Sequence, residues 1–66
     1  MYPDNVGDAI RRYRRKRKLT QEALASVSGV TATTIARLET GRNVPRVSTL
    51  TAIAAALGVT VHELVG

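Results

Sequence analysis

Sixty-six residues with a formal net charge of +5, ten basic side chains against five acidic, make one small domain and not two. There is no cysteine, so neither a disulfide nor a thiolate metal site supports the fold, and a chain this short depends on a well-packed aliphatic core. Tyr2 and Tyr13 are the only aromatic residues, which argues against a single-strand binder built on stacking platforms, and no apolar run is long enough to span a bilayer.

The opening segment MYPDNVGDAI carries two aspartates and no apolar stretch, unlike a secretory signal, so the expected location is the cytoplasm. Asn5 or Asp4 can cap a first helix over Val6 to Arg17, with Val6, Ile10 and Tyr13 on one face. Thr20 is placed to cap a second helix, Gln21 to Val27, with Leu24 and Ala25 inward. Gly29 supplies the turn. Thr31 then caps a third helix, Ala32 to Thr40, whose inner face is Ile35 and Leu38 and which Gly41 stops.

Arg42 to Arg46 reads as a loop, because Pro45 biases Val44 away from helix. A fourth helix follows from Val47 to Leu57, with Leu50, Ile53, Ala54 and Leu57 inward and Gly58 at its end. Thr60 and Glu63 form a capping-box pattern for a short last helix. No segment alternates with period two. The expected fold class is all-α: a compact five-helix domain spanning residues 1–66.

Leu19 to Gly41, LTQEALASVSGVTATTIARLETG, is the most informative stretch: two short helices around a glycine turn, the layout of a helix-turn-helix that places one helix in the DNA major groove. Seven of the ten basic residues lie just before it, in Arg11 to Lys18. That run fits a solvated helix face, a set of phosphate contacts, or loosely a nuclear-localisation pattern. Arg42, Asn43 and Arg46, in the loop after the third helix, suit phosphate clamping, which sets register without reading sequence. Gln21 stands at the first turn of the second helix, where free amides and a side-chain donor favour phosphate. The outward positions of the third helix are Ala32, Thr33, Thr34, Ala36 and Arg37.

Four segments together, LTQEALA (19–25), GVTATTIARLETG (29–41), Pro45 and LTAIAAALGVTVHEL (50–64), resemble the lambda-repressor-like (Xre/Cro type) helix-turn-helix domains. The resemblance covers residues 6 to 65. It implies that Ala32, Thr33, Thr34 and Arg37 occupy base-reading positions, and that Gln21 contacts the DNA backbone. An arginine there can donate two hydrogen bonds to a guanine edge, and Ala or Thr methyls can pack on a thymine methyl. The resemblance also implies a partly buried ion pair between Arg14 and Glu39. Where relatives carry glycine before Leu19, this chain has Lys18, which costs about 1 kcal/mol if it must adopt positive φ.

The implied activity is a sequence-specific binder of double-stranded DNA, most simply a repressor on a near-palindromic operator. The implied partner besides DNA is a second copy, joined through the C-terminal helix region of Val59, Val61, Leu64 and Val65, with Val61 and Val65 the better candidates. Two other readings remain: a protein-interaction module, and a sequence-indifferent binder of polyanions through Arg11 to Lys18. Catalysis is not expected. The lone histidine, His62, sits on the last short helix, and Asp4, Asp8, Glu22, Glu39 and Glu63 are dispersed. No metal or cofactor is expected either.

Overall fold

The computed structural model describes residues 6–66; among them it contains five helices and no strand. These are α1 (Val6–Lys16), α2 (Gln21–Ser28), α3 (Ala32–Glu39), α4 (Val47–Leu57) and α5 (Val61–Val65). The sequence-based bounds differ by one residue at the ends of α1, α2 and α3. The cap expected from Asp4 or Asn5 lies outside the described residues. No helix among them is long and apolar enough to cross a membrane.

Three helices begin on a threonine, because a hydroxyl there accepts from an amide that has no partner inside the helix. Thr20 accepts from the Ala23 N–H at 2.9 Å, Thr31 from Thr34 at 3.1 Å and Thr60 from Glu63 at 3.1 Å. At α5 the box is closed: the Thr60 N–H donates to Glu63 Oε1 at 3.0 Å. That bond holds the Glu63 carboxyl below its ordinary value. Five residues make a poor helix alone. The closed box and the buried Leu64 hold this one in place.

Three helices also end alike. An N–H two or three residues past the end of the helix reaches back five residues: Leu19 to the Arg14 carbonyl, Arg42 to Arg37 and Val59 to Ala54, at 3.0, 2.9 and 3.0 Å. This closure needs a left-handed residue just before each donor. Gly41 and Gly58 supply it at φ 74 and 71; after α1 it is Lys18, at φ 58. The departure from glycine therefore does not change how α1 ends, except that the helix stops at Lys16.

Each helix turns its apolar positions to one core: Val6, Ala9 and Ile10 from α1, Leu24 from α2, Ile35 and Leu38 from α3, Leu50, Ile53, Ala54 and Leu57 from α4, and Leu64 from α5. Tyr13 packs half-buried against it. α1 packs on α3 and α5, while α2 packs on α3 and α4. The approach of α1 to α3 is close because Gly7 has no side chain. A methyl group there would collide with the Leu38 carbonyl.

Lys18→Gly should stabilise the fold by about 1 kcal/mol, since it removes the penalty for a side chain in the left-handed region. For a domain of this size that is a rise of about 4–8 °C in Tm, read by circular dichroism on heating. An unchanged or lower Tm would show that Lys18 bears no such cost.

Candidate nucleic-acid interface

α2 and α3 meet at Gly29 (φ 77), whose N–H closes α2 on the Ala25 carbonyl at 2.9 Å. The Ser28 hydroxyl accepts from the Val30 N–H at 3.2 Å, and Val30 packs against the core. Thr31 opens α3 at once. The turn is short, hydrogen-bonded and anchored by an apolar side chain, so the angle between the two helices is set locally.

On α3 the inward residues are Ile35, Leu38 and Glu39, all buried. Thr33 and Arg37 are exposed, and Arg37 forms no ion pair among the described residues. Ala32, Thr34 and Ala36, expected outward, are half-buried. Thr34 turns off the outer face, where its Oγ1 accepts from Thr31 at 2.9 Å. It lines a cleft with Asn43, Val44, Pro45, Arg46 and Thr49. α3 therefore presents a narrow outer ridge of Thr33 and Arg37 flanked by small side chains. A major groove, about 12 Å wide, admits one α-helix.

Arg42, Asn43 and Arg46 are exposed around the buried Pro45, on the loop that leaves α3. Arg46 occupies the cap position of α4, where a guanidinium, having donors and no acceptor, cannot cap the free amides. The Arg42 backbone is fixed to α3 by its bond to Arg37.

Behind this surface lies Glu39, 5% exposed. Arg14 grips it with two bonds, Nε to Oε2 at 2.6 Å and a terminal nitrogen to Oε1 at 2.9 Å. Another terminal nitrogen of Arg14 donates to the Leu19 carbonyl at 2.9 Å. Gln21 donates its amide to Glu39 Oε1 at 3.2 Å, and Arg11 donates to the Glu39 backbone carbonyl at 2.6 Å. Arg11 also approaches Oε1 at 3.8 Å and Asp8 at 3.5 Å. Helices α1, α2 and α3 thus share one carboxylate.

Sequence reasoning did not find Arg11 or Gly7. Arg11 lies one turn before Arg14 on the same helix face, a signal that was available. Gln21, read as a phosphate contact, is half-buried and uses one amide hydrogen on Glu39. The second hydrogen of a primary amide remains for another acceptor.

Burial pushes the Glu39 carboxyl up, but the hydrogen bonds from Arg14 and Gln21 and the charges of Arg14 and Arg11 outweigh it, and the group sits below its ordinary value. The hydrogen bond to Glu39 chiefly holds the Arg14 guanidinium above its own. No cluster among the described residues could hold a metal ion.

The helix-turn-helix family profile matches residues 10–64. The chain is similar to the immunity repressor protein of Bacillus phage phi105, 43% identical over 61 residues, which cover 92% of this chain and 42% of that protein. It spans about two fifths of the length of the first curated relatives it matches. Among solved structures it is similar to the restriction-modification controller protein C.AhdI from Aeromonas hydrophila. The TM-score is 0.88, with 28% identity and 91% of each chain covered. It is also similar to part of the hydroxypropylphosphonic acid epoxidase of S. wedmorenis, with TM-score 0.86, 27% identity, 98% of this chain and 35% of that one. The fold therefore occurs both in regulators and as a minor part of an enzyme, and function must be argued from the surface.

A carboxylate held below its ordinary value of 4.5 contributes stability that is present above that value and lost as pH falls through the folded one. Thermal melts should therefore fall off below about pH 4.5. Glu39→Gln should flatten that decline and lower stability at neutral pH by about 3 kcal/mol, because Arg14 loses its counter-charge. A loss under about 0.5 kcal/mol would mean that the pair does not hold the helices together.

Proposed function

Because the chain belongs to the lambda-repressor-like, Xre-type helix-turn-helix family, we propose that it binds double-stranded DNA sequence-specifically as a transcriptional regulator, most simply a repressor. The observation that carries this is the exposed ridge of α3, with Arg37 free of any ion pair among the described residues and Thr33 beside it. The relatives named as repressors support the same reading. On it, residues 1–66 act as one DNA-binding domain located in the cytoplasm, at the nucleoid when bound.

α3 lies in the major groove. Arg37 donates two hydrogen bonds to a guanine edge, and Ala32, Thr33 and Thr34 supply methyl and hydroxyl contacts. Of these, Thr33 and Arg37 reach deepest, because Ala32 and Thr34 are half-covered. Gln21 with the first amides of α2 binds one phosphate, and Arg42, Asn43 and Arg46 bind others. Glu39 serves this surface without touching DNA. By holding Gln21 and Arg14 it fixes the distance between the phosphate-binding end of α2 and the base-reading ridge of α3.

A single domain of this size reads few base pairs. Two copies on inverted half-sites, about 34 Å apart, double the contact and give a near-palindromic operator. The surface for self-contact is the C-terminal region, where Val59, Val61 and Val65 are half-buried while Leu64 is committed to the core. The reading is of a regulator and not an enzyme.

The test is selection from a randomised duplex library at about 150 mM salt, where the screening length is near 8 Å. The expected result is an enriched motif of two inverted half-sites. Arg37→Ala should then lose about 1–3 kcal/mol at one base position, and Arg46→Ala should weaken binding to all sequences while lowering the salt slope by about 1. Binding without enrichment, equally weakened by removing Arg12 or Arg15, would replace this reading with sequence-indifferent binding through α1.

A further inference from the structure

We propose that Val44 reads a thymine methyl at the edge of the bound site, adding an apolar specificity contact from outside the helix-turn-helix. The inference rests on the DNA-binding reading above and names a residue that reading does not use. Among the described residues, Val27, Val44 and Val47 are the large hydrophobic residues left exposed, and Val44 is the most exposed, at 75%. It does not hang on a loose segment. Pro45 beside it is buried, and the loop is tied to α3 through the bond from the Arg42 N–H to the Arg37 carbonyl. A residue preceding proline is also restricted to extended backbone.

Position gives the exposed side chain its meaning. Val44 lines one cleft with Thr34 of α3, and Asn43 and Arg46 line the same cleft. Those two polar residues are the phosphate-binding groups of the loop. A strand gripped by them passes Val44, which stands between them and beside the reading helix. A polar side chain there would find a phosphate oxygen. Valine has no donor or acceptor, so its favourable partner is an apolar group, and the apolar group that DNA projects into the major groove is the C5-methyl of thymine. Covering one methyl-sized area is worth about fourfold in affinity.

The test is a double-mutant cycle between protein and DNA. The probe is the duplex that the wild-type chain enriches from the random library, together with copies in which each dT in turn is replaced by dU, which lacks only that methyl. Val44→Ala should bind the parent duplex about fourfold more weakly, and one dT to dU change should weaken the wild type by about the same factor. Combining the two should still cost about fourfold, not about sixteenfold. Val27→Ala, an exposed change on α2, should show no such coupling, and melts of both variants should match the wild type.

If Val44→Ala loses the same factor on every dU duplex, Val44 packs on deoxyribose and methyl reading is overturned. If it loses nothing, the contact does not exist and the inference is overturned likewise. If the wild-type chain enriches no duplex, the DNA-binding reading has failed and the methyl contact falls with it, an outcome distinct from enrichment without coupling.

Discussion

One buried carboxylate organises this molecule. Glu39 sits at the last turn of α3, where it accepts from Arg14 of α1 and from the first residue of α2, while its own backbone carbonyl accepts from Arg11. Burying a charge is expensive unless it is paired and hydrogen-bonded, and here no buried side-chain polar atom among the described residues is left without a partner. The net stabilisation from such a pair is small compared with the penalty for losing one half of it. Its larger consequence is geometric. An aliphatic core can tolerate small slides of one helix on another, whereas a two-bond arginine–carboxylate contact fixes direction as well as distance. Gly7 makes that contact possible by letting α1 reach the end of α3.

The rest of the chain is economical because its total stability is small. At 0.05–0.15 kcal/mol per residue, 66 residues amount to roughly 3–10 kcal/mol. The sequence has no cysteine, and among the described residues no aromatic side chain is fully buried in the core, so local closures carry weight: three threonine caps, and three helix ends that return a hydrogen bond across five residues. Lys18 departs from that economy. It holds the left-handed conformation that glycine adopts at the other two ends, and it adds another cation to a run already dense in them.

Much of this was legible in the sequence because the signals were local. A threonine before an apolar periodic run, a glycine after it and a glutamate three residues beyond Thr60 each act within one turn of chain, and each helix followed. The arginine–glutamate pair was legible only through the family resemblance, since no spacing links positions 25 residues apart. Gly7 and Arg11 were missed because their roles depend on where α3 ends in space. Helical spacing turns Thr34 outward; its bond to Thr31 and the loop carrying Pro45 leave it half-buried. Periodicity gives the direction of a side chain from its own helix axis and nothing about what a neighbouring loop lays over it.

We propose that the exposed ridge of α3, braced by Glu39, is the surface that meets DNA. Backbone amide shifts of the isotope-labelled chain, followed during titration with a duplex carrying its selected site, distinguish this surface from the outer face of α1. The largest changes are expected at Gln21–Ala23, Ala32–Arg37 and Arg42–Arg46, with the outer face of α1 nearly silent. Changes concentrated at Arg12, Arg15 and Lys16, with α3 unmoved, would contradict it.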